Sequence, residues 1–175
     1  MATEKQYTQD EMADWLKNKV KAVASGTARR KLLSFRDRAR DSDSAFVGNL
    51  YFFRYDPKHK ATLPQYDKFP MAIILQWNSD GFLGLNLHYL PRGQRSAMLG
   101  VFSKYKEDYK LEKDSDSDNW ENLVDYLDNT NMDQMPKQCL KRYLWSHVTS
   151  HFVEVYPDEY GIAVQLPVED WVFKR

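Results

Sequence analysis

A single cysteine, Cys139, stands among 175 residues. No disulfide can form within such a chain, and a reducing compartment is its natural setting. No apolar run approaches the roughly 20 residues that a bilayer-spanning helix needs. The opening stretch MATEKQYTQDEM lacks the apolar segment of a secretory signal and is not expected to act as one. Neither sign of charge dominates, because 25 Lys and Arg face 25 Asp and Glu. The bulk charge therefore carries no signature of a nucleic-acid or membrane-surface binder. Motifs tied to one chemistry are missing as well: there is no Gly-rich phosphate loop and no Gly-x-Ser-x-Gly elbow.

What the chain does hold is aromatic. With 42% apolar and 14% aromatic residues it can bury a substantial core despite 29% charged ones, since each ring covers a large area. A single domain over 1–175 is expected, with a helical basic arm at 1–46, a β core at 47–91, and a helical cover at 92–175 that includes a short C-terminal strand. In the arm, Thr8 and Glu11 have capping-box spacing. Met12, Trp15, Leu16, Val20 and Val23 then recur at helical intervals, so a helix is expected from Gln9 to about Ala24. It either docks on the body or packs on a neighbouring subunit. Arg29, Arg30, Lys31, Arg36, Arg38 and Arg40 follow, with Asp37 the lone acid between them. This is the one stretch suited to gripping phosphates; otherwise it is a solvated face or a subunit contact.

The densest apolar content lies between Val47 and Pro91. Asn49 to Tyr55 reads as a strand, 56–60 as a turn, and 63–70 as extended and interrupted by proline, which cannot donate to a sheet ladder. Met71 to Trp77 and Phe82 to Tyr89 read as two strands of a hairpin around the four-residue loop Asn78–Gly81. Gly84 signals a close backbone approach or a bulge. A helix is expected over Gln94–Tyr105, a short one around Trp120, Leu123, Val124 and Leu127, and another from Pro136 carrying Leu140, Tyr143, Leu144, His147 and Val148. Cys139 is read as a small buried hydrophobe on that last helix. Phe152–Val155 reads as a strand, and Trp171 and Phe173 anchor the C-terminal segment.

Several constellations suggest chemistry and then fail on spacing. His147 and His151 have the i, i+4 interval of a zinc helix, with His88 a conceivable third ligand, but Val148 occupies the position where a zinc protease carries its Glu. The run 114–118 resembles a calcium loop, yet it lacks the loop Gly and has Asp125 where the bidentate Glu belongs. A Cys139/His147 dyad spread over one helix would be separated by about 12 Å. Asp56 and Asp67 flank the proline-rich turn without a partner carboxylate on an adjoining strand, as a metal-dependent nuclease would need. Tyr51, Phe52, Phe53 and Tyr55 alternate with Arg54, Lys58 and Lys60 in a way that would suit a single-strand-binding platform. Adjacent rings on a strand point to opposite faces, however, and core packing is the reading adopted. No cofactor or metal is expected.

The phrases LYFFRYDPKHKATLPQYDKFP and GFLGLNLHYLP, continued by KRYLWSHVTSHFVEV and AVQLPVEDW, resemble a family of small proteins of tailed bacteriophages, the T-even-like myoviruses, some of whose members are labelled DNA end protector. The resemblance implies a virion protein with no catalytic residue set. Sequence and resemblance together lead to an α+β expectation: a small curved antiparallel sheet or SH3-like barrel covered by flanking helices, with an N-terminal helical arm. The expected function is a non-enzymatic assembly component at the head–tail connection, tail or baseplate. It would be assembled in the host cytoplasm, contact other virion proteins in several copies, possess no membrane partner, and act through protein–protein contacts. The alternative is a DNA-binding protein that guards genome ends with Arg29, Arg30, Lys31, Arg36, Arg38 and Arg40.

Overall fold

The computed structural model describes residues 5–23, 47–108 and 137–174. The basic stretch 29–40, the acidic run 114–118 and the helix expected around Trp120 lie outside the described residues.

Helix α1 (Gln9–Val23) starts where the capping box places it. The Glu11 carboxylate accepts from the Thr8 backbone N–H at 2.8 Å, and Thr8 Oγ1 accepts from the Glu11 N–H at 3.2 Å. This exchange satisfies two donors that the first helical turn leaves unpaired. Of the two roles expected for the helix, docking on the body is the one found. Met12 is buried, Trp15 Nε1 donates to Glu159 at 3.1 Å, and Lys19 forms an ion pair with the same carboxylate.

Five antiparallel strands form the main sheet: β1 (Leu50–Phe52), β3 (Met71–Asn78), β4 (Gly81–Asn86), β5 (Leu140–Leu144) and β6 (Val153–Val155), in the order β5-β4-β3-β1-β6. Strands β2 (Gln65–Asp67) and β7 (Trp171–Phe173) pair separately. The prolines around β2 keep it to three residues and out of the main ladder. Among the described residues the sheet curves without closing, so of the two expected forms the open sheet is the one they show. Past β1, the chain bridges from Tyr55 to Val148, and Asp56 N–H donates to the His147 carbonyl at 2.9 Å. This draws the segment after β5 over one face.

Period-two alternation divides the strands between two cores. Leu50, Phe52, Met71, Ile73, Leu75, Leu85, Val153 and Val155 enter an aliphatic core beneath α1, α2 (Arg92–Asp108) and α3 (Tyr160–Ala163). Tyr51, Phe53, Tyr55, Ala72, Ile74, Phe82, Tyr143, Trp145 and Phe152 form an aromatic core on the opposite face. The register shift between Ile74 and Gln76 inserts one residue into β3. That bulge changes the parity, which is why Trp77 packs on the same side as Ile74.

Three local expectations need correction. The β3–β4 connection spans two residues rather than four, since Asn78 pairs with Gly81. Gly81 is required for close approach: a Cβ there would lie 1.8 Å from the Tyr143 carbonyl oxygen. The returning strand ends at Asn86 and passes into a 3₁₀ turn, Leu87–Tyr89. The helix expected from Pro136 is absent at 140–148, where β5 pairs with β4 through Leu140–Leu144 and a 3₁₀ turn, Trp145–His147, follows. The spacing of Leu140, Tyr143, Leu144, His147 and Val148 fits a helix. Only an extended chain, however, delivers Tyr143 and Trp145 to the aromatic core, where their rings lie 5.0 and 4.7 Å from Phe82. Tertiary packing overrides the local periodicity. Gly84 is a site of close approach, with the Tyr143 ring 3.1 Å from where a Cβ would sit, while the bulge lies on the facing strand.

Candidate nucleic-acid interface

A cavity of about 450 Å³ opens where the 56–63 turn and β2 meet β4 and β5, lined by Lys58, Tyr66, Asp67, Tyr89, Lys141 and Tyr143 among others. Its back wall is a buried polar network. Asp67 accepts from the Phe69 N–H at 2.9 Å, the Asp170 N–H at 3.3 Å and Asn86 Nδ2 at 3.2 Å, and its second oxygen lies 2.6 Å from His88 Nδ1. Burial alone would push this carboxyl up. Its hydrogen bonds to His88, Phe69 and Asn86 and the attraction of His88 more than offset that, so it titrates below the usual carboxylate range. Asp67 thus joins β2 to the end of β4 and sets the position of the wall. Arg95 braces the neighbouring turn. Its Nε donates to the Leu87 and Leu90 carbonyls, each at 3.1 Å, and the guanidinium pairs with Glu169.

The walls are tyrosines. Burial raises the Tyr89 phenol to about 12 and holds the Tyr143 phenol well above its ordinary value, so both remain neutral donors. Tyr55 Oη accepts from the Leu144 N–H at 3.2 Å. Among the described residues, three cationic side chains also line the space. Arg142 is committed to Asp80 through contacts of 2.8 and 2.7 Å. Lys141 is half-buried, with its ammonium 4.3 Å above the Tyr89 ring, and burial lowers its pKa. Lys58 is exposed on the turn. Neither lysine has a carboxylate partner among the described residues.

The residues singled out in the sequence are dispersed. His88 belongs to the Asp67 network. His147 Nδ1 contacts the Asp56 carbonyl at 2.7 Å, and His151 borders a separate groove beside Leu16 and Val20. Among the described residues no group of three or more His, Cys, Asp or Glu side chains is placed to hold a metal ion. Asp56 pairs with Lys60 on the surface, apart from the buried Asp67 network. Cys139 is fully buried in a 3₁₀ turn, with its thiol pushed up to about 11, which makes it a packing residue. Tyr51, Phe52 and Phe53 are buried in the two cores, as alternation along a strand requires. Arg29, Arg30, Lys31, Arg36, Arg38 and Arg40 are outside the described residues.

Sequence reasoning misses the cavity itself. It assigns Lys141 and Tyr143 to a helix, and Tyr66 and Tyr89 carry no motif. The signal that reveals it is the alternation of Lys141 and Tyr143 once 140–144 is read as a strand.

Compared with known families, residues 6–175 match the family described as phage T4 terminal DNA protecting protein. No curated protein and no solved structure matches the chain.

Proposed function

Because the chain belongs to the phage T4 terminal DNA protecting protein family, we propose that it binds the ends of linear phage DNA and shields them by occupancy rather than by turnover. The observation that carries this reading is the length of the match, which leaves out only the first five residues. The family description names DNA termini and neither tail, baseplate nor head–tail connection. The genome-end reading therefore displaces the assembly reading that the sequence favours.

The charge distribution supports it. Net charge is zero, but the basic residues at 29–40 are set against an acidic region at 105–133. Local basic density is what neutralises phosphates and releases counterions. Arg29, Arg30, Lys31, Arg36, Arg38 and Arg40 are the residues assigned to the DNA backbone, and the tyrosine-walled cavity is assigned to the end itself. The protein is carried in the virion with the packaged genome, and other virion proteins, in several copies, complete its surroundings.

The test is competition between a linear duplex and a covalently closed circle of the same sequence across a salt series. Linear DNA should bind more tightly, and affinity should fall steeply with salt. Replacing the six basic residues with Ala should reduce the salt slope by about one for each phosphate no longer neutralised. Equal affinity for circle and linear duplex would overturn the reading.

A further inference from the structure

We propose that the cavity between β2 and β5 takes a single nucleotide from the very end of the DNA, its terminal phosphate held by Lys141 and Lys58 and its base stacked on Tyr66. This rests on the genome-end reading and names the ligand of that site.

Size limits the occupant. A space of about 450 Å³ lies in the range of small-ligand pockets, roughly 300–1,000 Å³. It is far too small for a duplex, whose major groove alone is about 12 Å wide. Only a nucleotide that has left its pair can enter. Unpairing and unstacking one nucleotide costs a few kcal/mol inside a helix. The cost is least at an end, where a base has one stacking neighbour instead of two.

Charge selects the phosphate. Arg142 is already compensated by Asp80, and Asp67 by His88 together with Asn86 and two backbone N–H groups. Lys141 and Lys58 form no ion pair among the described residues, although Lys58 also lies in the field of Asp80. A half-buried ammonium without an anion is expensive to keep, and a phosphate oxygen in the cavity would relieve it. The end of a strand offers the better ligand. A terminal phosphomonoester carries about −1.5 to −2 at neutral pH, whereas a phosphodiester within the chain carries a single charge. Two lysines in one cavity match the former.

A ring is available for the base. Tyr89 is occupied on one side by Lys141 and on another by Trp171, 4.6 Å away. Tyr66 is half-buried on the short strand β2 and lines the same cavity. Stacking on it is independent of sequence, as end recognition requires.

The experiment compares one short duplex in four forms: with 5′-phosphates, with 3′-phosphates, with hydroxyls at both positions, and closed into a dumbbell. Each is titrated with the wild type, Lys141→Gln, Tyr66→Leu and the surface control Lys104→Gln. For the wild type, a phosphate on one of the two strand ends should tighten binding about tenfold over hydroxyl ends, and whichever end responds identifies the strand that enters. Lys141→Gln should abolish that increment. Tyr66→Leu should weaken every open-ended form about tenfold while leaving the dumbbell unaffected. Lys104→Gln should match the wild type. A phosphorylated dinucleotide added to the wild type should shift the backbone amide resonances of Tyr66, Tyr89 and Lys141, a readout that does not depend on how the variants fold. If open ends outcompete the dumbbell but phosphate, Lys141→Gln and the dinucleotide all have no effect, the cavity assignment is wrong and end binding stands. If open ends and dumbbell bind alike, both fall.

Discussion

The two faces of the sheet are sealed by different means. The face under α1, α2 and α3 is filled mostly by Leu, Ile, Met and Val, with Phe52, Phe102 and Tyr105 among them, supplied from positions between Met12 and Leu166. The opposite face has no α-helix over it among the described residues. Its rings cover one another: Phe53 lies 5.0 Å from Tyr143 and 4.9 Å from Phe152, and Trp77 lies 5.1 Å from Trp145. Rings that bury roughly 150–250 Å² each can close a face with few residues. The consequence is functional, because Tyr55 and Tyr143 belong to the aromatic core and also line the cavity. The aliphatic face reaches the cavity only through its margin, where Tyr89 packs against it, while the aromatic face supplies the floor of the site through Tyr55 and Tyr143.

The largest test of that contrast sets Phe82→Ala against Leu99→Ala. Both residues are buried, one in each core. Urea unfolding should show losses of about 3–5 kcal/mol for Phe82→Ala and about 2–5 kcal/mol for Leu99→Ala. Affinity for DNA ends, measured on the folded protein, should fall only for Phe82→Ala. Equal effects on binding would break the division between the faces.

A smaller effect is expected at the joint between the sheets. Asp67→Asn should cost about 1–3 kcal/mol near neutral pH through its hydrogen bonds. The sign of the pH dependence follows from the lowered carboxyl. Its contribution is fully present above the ordinary value of 3.8 and is lost as pH falls through the lower folded value. Acid unfolding of the wild type should therefore steepen below that ordinary value, and the variant should show a shallower acid limb. An unchanged acid limb would mean that the network does not hold β2 in place.

Smallest is the helix cap. Thr8→Ala removes one half of the capping exchange and should cost about 0.5–2 kcal/mol. Hydrogen exchange should quicken within α1 and on the face it covers, while amides beneath the aromatic core keep their protection. Acceleration on both faces would show that the two cores unfold as one unit.

Much of the fold is readable in advance where local chemistry is decisive. The Thr8–Glu11 pair marks a helix start in any context, and proline chemistry keeps 63–70 from forming a regular central strand, so that Lys68 and Pro70 meet the chain after β1 only as carbonyl acceptors. The hairpin of β3 and β4 follows from apolar runs around a turn, although its loop length depends on how closely Gly81 approaches Tyr143. Strand β5 is not readable, because the same apolar spacing serves a helix and the deciding contacts come from Phe82, Phe53 and Trp77, distant in sequence. The candidate site divides in the same way. A basic run such as 29–40 is visible as composition. A cavity assembled from residues near 58, 66, 89 and 141 has no sequence spacing to recognise.

The α+β class, the N-terminal helix, the sheet-forming centre and the phage family are all legible in the chain alone, because they depend on local periodicity, capping and long contiguous motifs. Tertiary contacts settle the rest: that 140–144 is a strand, that the rings form a second core rather than an exposed platform, and that Lys141 lies over the Tyr89 ring in a cavity that Tyr66 also lines. The reason is physical. Each of those outcomes is a matter of which distant side chains a residue meets, and burial, not spacing, sets that choice.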